Sequence, residues 1–192
     1  MKTDELKPDF AIADELLRLA SQIRLVLFDV DGVLTDGRLF FSDSGDEGKS
    51  FHARDGLGIN LLQQSGVAVG IITARQSRLV EHRARDLNIK HLYQGRKEKF
   101  PAYKELCDDL GLSPSEVAFV GDDVVDLPIM LDVGLAVTVP EGHKLVKQHS
   151  HWTTPNHGGS GAARDVCELI MYSQNTYSKM MEQFLSANAA TA

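Results

Sequence analysis

Leu25-Val26-Leu27-Phe28-Asp29-Val30-Asp31-Gly32-Val33-Leu34-Thr35 is the stretch that decides how the chain reads. An unbroken apolar run that ends abruptly in carboxylates and a glycine predicts a strand buried on both faces, followed by a functional turn. Asp29 and Asp31 lie two apart, just past the strand's carboxyl end. That edge is where open α/β sheets place their ligands. Two neighbouring carboxylates repel each other, and a hard cation between them relieves the repulsion. A polar turn after a strand is the plainer alternative, so the rest of the chain has to decide.

The chain of 192 residues, 43% hydrophobic and 24% charged, has the size and composition of a single globular domain with a proper core. Its net charge of −7, with no basic cluster, speaks against a nucleic-acid partner. Cys107 and Cys167 fall in helical patterns and read as reduced packing residues. Residues 1–5 lack the basic start and apolar run of a signal peptide, and no segment is long enough to span a membrane. A cytoplasmic protein is expected.

Asp9 or a neighbour is placed to cap a first helix carrying Phe10, Ile12, Leu16, Leu17, Leu19 and Ala20 at helical spacing. Beyond Thr35, turn formers flank short β-prone runs from Asp36 to Phe51. They predict one or two hairpins projecting from the ligand end of the sheet. This insertion, about 36–51, is too short to be a lid domain. Asp55 is placed to cap a helix that ends before Gly66. The strand 67–72 then delivers Thr73-Ala74-Arg75 to the same edge. A helix from about Ser77 to Leu87, a short strand at 91–93 and a helix opened by Lys99 follow. Strand 117–120 ends in Gly121-Asp122-Asp123-Val124-Val125-Asp126. Alternating strands and helices predict a doubly wound, Rossmann-like parallel sheet with helices on both faces.

Taken singly, Thr73 is a helix cap, Lys99 a solvated charge, and Asp122 and Asp123 further caps. Taken in order, Asp29-x-Asp31-Gly-x-x-Thr35, Thr73, Lys99 and Gly121-Asp122-Asp123-x-x-Asp126 resemble the motifs of the haloacid dehalogenase-like phosphatases. The first and last motifs are specific together; the isolated Thr and Lys are weak alone. The resemblance implies a single phosphatase domain over residues 1–192. It implies that Asp29 attacks phosphorus and that Asp31 serves as general acid and base. Asp29, the carbonyl of Asp31 and Asp122 would hold Mg²⁺, while Thr73 and Lys99 would bind phosphoryl oxygens. Asp126 would orient Lys99 or a water, and Asp123 is either a supporting acid or a helix cap.

The resemblance narrows further. The hairpin in place of a cap, the stretch Phe51–Ile59 and the segment Gly158–Glu168 look like the 3-deoxy-D-manno-octulosonate 8-phosphate phosphatases, over about residues 23–172. That family implies a cytoplasmic, Mg²⁺-dependent homotetramer in lipopolysaccharide precursor synthesis. Subunits would close one another's sites, and the substrate would be a small sugar-acid phosphate. Arg54 and Arg75 are candidate binders of the substrate carboxylate, because a guanidinium fork matches it bidentately. Arg78 reads as a solvated helix residue. A phosphatase for nine-carbon acylneuraminate 9-phosphates, or a catalytically weak oligomerisation module of the same fold, are the other readings.

Three features remain outside these motifs. His143, His149, His151 and His157 fit no common zinc spacing and read as solvated. The loop 158–161 either lets backbone approach a ligand or simply joins strand to helix. Beyond about Ser173 the chain is rich in Ala, Asn and Ser, and a flexible tail is expected.

Overall fold

A computed structural model describes residues 6–186. At its centre β1 (Leu25–Phe28) is buried along its whole length. The two-residue period of a strand divides its side chains between two cores. Leu25 and Leu27 face one, and Val26 and Phe28 face the other. In β6 (Val117–Val120) the split repeats, with Val117 and Phe119 against Ala118 and Val120. Continuous apolar runs were therefore the correct signature of strands covered on both sides.

The sheet has the order β5-β4-β1-β6-β7-β8, where β4 is Ala68–Ile72, β5 His91–Tyr93, β7 Leu135–Thr138 and β8 Trp152–Thr153. All neighbours in it pair in parallel. The chain winds outward from β1 to β4 and β5, then crosses back to β6 on the other side. The reversal opens a crevice at the carboxyl ends of β1 and β6.

Helices α1 (Asp14–Ala20), α2 (Ala53–Gln64), α3 (Arg78–Asp86), α7 (Ala162–Ser173) and α8 (Tyr177–Ser186) cover one face. Helices α4 (Phe100–Leu110), α5 (Leu127–Met130) and α6 (Lys144–Gln148) cover the other. Cys107 and Cys167 are free and buried in α4 and α7. The insertion is one short hairpin, β2 (Phe40–Phe41) paired antiparallel with β3 (Glu47–Gly48).

Three expectations need correcting. Helix α1 begins at Asp14, so Asp9 does not cap it. Helix α2 begins at Ala53, which puts Asp55 inside its first turn. There Asp55 is buried and accepts the Arg164 N–H at 2.9 Å, so it ties α2 to α7. After Ser173 a short turn leads into α8, which runs from Tyr177 to Ser186. Asn175 reverses the chain at φ 57°, and α8 packs back with Tyr177 and Met180 buried. An αL asparagine followed by apolar residues at helical spacing explains this, and composition alone concealed it. Residues 187–192 of the expected tail lie outside the described residues.

The glycine loop joins β8 to α7, as one of its two readings expects, and it also packs on the turn that follows β1. The Gly159 N–H donates to Val33 O at 2.9 Å, which lays the loop against the turn that follows β1. A Cβ on Gly158 would sit 1.8 Å from Gly32 O. Only glycine permits that backbone-to-backbone contact. Gly158→Ala should therefore force the two loops apart, with a loss of about 1–3 kcal/mol in urea unfolding and a matching fall in activity. An unchanged midpoint would show that the contact contributes nothing.

Candidate active site

Each motif residue sits where a parallel strand runs out. Asp29 follows β1, and its N–H still donates to Val120 O at 3.0 Å, so the ladder holds it in place. Thr73 follows β4 and is held likewise by Tyr93 O at 2.9 Å. After Asp29 the chain turns back on itself. The N–H groups of Val33, Leu34 and Thr35 all converge on Val30 O. Buried Thr35 closes the turn: its hydroxyl accepts from Gly32 N–H at 3.4 Å and Gly37 N–H at 3.3 Å. That is the local reason for Thr in the first motif. Gly32 has φ +97°, and a Cβ there would meet the Asp122 carboxylate at 2.0 Å. The glycine thus makes the turn and clears room for the acid.

Asp29, Asp122 and Asp126 bring carboxylate oxygens within 4.8 Å of one another. Lys99, at the start of α4 with its side chain 1% exposed, reaches Asp29 Oδ1 at 2.8 Å and Asp126 Oδ1 at 2.7 Å. Asp126 is saturated, because its Oδ2 accepts the N–H groups of Asp122 at 3.1 Å and Asp123 at 3.3 Å. It brackets Lys99 and the acidic turn. Asp123 is exposed, and its carboxylate accepts Val124 N–H at 2.8 Å, which makes it a cap. The Thr73 hydroxyl is buried at the neighbouring strand end and accepts Arg75 N–H at 3.4 Å.

The electrostatics follow from this crowding. Burial, then the Asp126 carboxylate, pushes Asp29 up to about 6 against the opposing pull of Lys99. Burial, then Asp29 and Asp126, pushes Asp122 up to about 7. For Lys99, burial works against the charge, but the Asp29 and Asp126 carboxylates outweigh it and raise the ammonium's pKa. Asp122 Oδ1 is moreover buried without a hydrogen-bond partner. Clustered hard oxygens, an orphaned carboxylate oxygen and surplus negative charge are the conditions a hard divalent cation fits. Asp29 and Asp122 are the acids with oxygens to offer it.

Asp31 is drawn toward the hairpin. Its carboxylate pairs with Lys49 Nζ, and Arg75 Nε lies 3.8 Å from its other oxygen. Arg75 also donates to Glu47 at 2.9 Å. Arg75 therefore reaches the site's rim. Arg54 is exposed in the first turn of α2, where its charge acts on Asp165, and Arg78 is exposed at the start of α3. Neither makes an ion pair with the cluster among the described residues. Lys49 and Glu47 were missed by the sequence reading. The available signal was strand periodicity, which puts residues 47 and 49 on one face of β3 and its extension. The histidines disperse: His151 and His143 accept backbone N–H groups, and His157 pairs with Glu141.

A parallel sheet with these groups at its switch point defines a haloacid dehalogenase-like hydrolase, and the family model for that class matches residues 53–134. The 3-deoxy-D-manno-octulosonate 8-phosphate phosphatase of Yersinia pestis is 45% identical over 85% of this chain and 88% of its own. The corresponding phosphatase of Escherichia coli K12 is 42% identical over 85% and 87%. The crystal structure of the Moraxella catarrhalis phosphatase with magnesium, phosphate and the KDO molecule superposes with a TM-score of 0.88. It is 39% identical and covers 90% of this chain and 99% of that one. The chain belongs to the 3-deoxy-D-manno-octulosonate 8-phosphate phosphatase family.

The raised carboxyls predict a pH-dependent response to the cation. Unfolded, both acids titrate near 3.8; folded, they keep their protons to about 6 and about 7. The native state binds more protons in between, so their contribution to metal-free stability falls as pH rises from about 4 to about 7. A divalent cation relieves the repulsion that appears there. The rise in melting temperature on adding Mg²⁺ should be small at pH 5 and several-fold larger at pH 8. Equal rises would remove Asp29 and Asp122 as its anchors.

Proposed function

We propose that this protein hydrolyses 3-deoxy-D-manno-octulosonate 8-phosphate to the free sugar acid and phosphate, with Mg²⁺, in the synthesis of lipopolysaccharide precursors. The observation that carries the chemistry is Asp29. It is a buried carboxylate at the switch point, fastened 2.8 Å from Lys99 and clustered with Asp122. The substrate rests on similarity to the phosphatases of that name along most of both chains.

An Asp29 oxygen attacks phosphorus as the ester oxygen leaves, forming an aspartyl-phosphate and splitting one hard displacement into two. Asp31 gives its proton to the departing alkoxide. It then takes a proton from the water that attacks the phosphoryl group and releases Asp29. Lys99 and the Thr73 hydroxyl bind phosphoryl oxygens, while Asp126 keeps the ammonium in place. Asp29, the Asp31 carbonyl and Asp122 would hold Mg²⁺, which would supply positive charge against the phosphoryl oxygens. Arg75, at the rim, and Arg54 are assigned to the substrate's carboxylate.

The same proposal includes a cytoplasmic homotetramer. Its support is the hairpin, where Leu39, Phe40 and Phe41 are 46%, 68% and 54% exposed. Consecutive exposed apolar side chains on a projecting strand suit burial against copies of themselves. No helix among the described residues is long and apolar enough to cross a membrane.

Phosphate release should depend on Mg²⁺ and favour the eight-carbon 3-deoxy acid over nine-carbon acids and glucose 6-phosphate. Asp29→Asn should fall below about a thousandth of wild-type turnover with its melting temperature kept. A flat substrate profile, or an active Asp29→Asn, would overturn the corresponding half of the assignment. Phe40→Asp should lower the sedimenting mass from tetramer to smaller species. An unchanged mass would clear the hairpin of any part in assembly.

A further inference from the structure

The hairpin carries a lysine that points the wrong way for a surface element. Lysines on exposed strands normally run their stems along the surface and leave the ammonium in water. The side chain of Lys49, immediately after β3, is 1% exposed. Its ammonium pairs with Asp31 Oδ1 and lies 3.3 Å from Glu47 Oε1. Glu47 Oε1 also receives Arg75 at 2.9 Å, and Arg75 Nε faces Asp31 Oδ2 at 3.8 Å. Asp31, Lys49, Glu47 and Arg75 therefore form a closed ring of alternating charge. It joins the turn after β1, the turn after β4 and the hairpin.

Burying an ammonium costs several kcal/mol unless good partners surround it, so the ring specifies where Lys49 must lie. In return, Lys49 Nζ holds Asp31 Oδ1 and fixes the carboxylate's orientation, while Oδ2, 3.8 Å from Arg75 Nε and beyond hydrogen-bond reach of it, is left to carry the proton. We propose that Lys49, steadied by Glu47, is a positioning residue that holds the Asp31 carboxylate where it serves the leaving group. The hairpin is on this view part of the active site's wall as well as an assembly element. The inference rests on the assignment of Asp31 to proton transfer made above.

Leaving-group dependence separates this role from mere fastening of the hairpin. An alkyl phosphate needs a proton delivered as its bond breaks, whereas p-nitrophenyl phosphate releases a stable anion unaided. kcat/KM reports the steps up to that cleavage. In Lys49→Gln, kcat/KM on the eight-carbon sugar-acid phosphate should drop about 10–100-fold, part of what a general acid contributes. On p-nitrophenyl phosphate it should change less than about 3-fold. Lys49→Arg, which keeps charge and donors, should recover most of the loss, and Glu47→Gln should reproduce it in weaker form. Equal losses on both esters, or no rescue by arginine, would reduce Lys49 to a structural fastening. Any alkyl phosphate that the wild type cleaves serves the comparison. Failure of wild type on the sugar acid alone would therefore overturn the substrate assignment and leave this test standing.

Discussion

Three carboxylates and a single ammonium share one buried corner of this protein, and the rest of the site is arranged around the resulting excess of negative charge. At about 4 Å and an effective dielectric of about 20, each like-charged pair repels by about 4 kcal/mol. A few such pairs rival the whole stability of a domain, about 5–15 kcal/mol. The fold cannot leave them all ionised and unscreened. It keeps Asp29 and Asp122 protonated well above their usual range, and it saturates Asp126 with Lys99 and two backbone N–H groups. What stays unsatisfied is Asp122 Oδ1, buried and without a partner. A site that needs a cation in order to ionise is well matched to an anionic substrate, since the same cation answers both charges.

Holding such a corner open requires rigid backbone, and the sheet provides it. Asp29 and Thr73 are fixed by ladder hydrogen bonds that continue one residue past their strands. The turn after β1 is then clamped twice. Thr35 closes it from within, and the glycine loop before α7 presses on it from outside. The C-terminal third of the chain therefore positions residues at its beginning, through backbone contacts that involve no functional side chain.

Much of this was legible in the residues. Continuous apolar runs at 25–28 and 117–120 announced strands with two covered faces, and the acids beyond them announced the ligand edge. What escaped was of two kinds. Asp55 read as a cap because an acid before an apolar helical pattern normally is one; its real partner, Arg164, lies 109 residues away. Residues 174–186 read as a tail because small polar residues dominate nearby composition, while the apolar stripe of α8 is only a few residues long. Lys49 and Glu47 belong to the first kind: strand periodicity puts them on one face, but it does not say that this face folds onto an acid 18 residues before Lys49.

The hairpin links the charged ring at the site to an exposed apolar tip. With two residues in each strand, it is far too small to be stable by itself. Its base is seated by the charge ring around Asp31, and its tip offers Leu39, Phe40 and Phe41 to whatever covers them. A large cap domain would carry its own core and so could move without disturbing the acid beneath it. A hairpin without a core has no such independence. Any contact that steadies the tip also steadies Lys49, and through Lys49 the carboxylate of Asp31. In a fold of this design, covering the site and orienting its acid are one mechanical problem. Packing identical hairpins against one another is a solution that adds no residues to the chain.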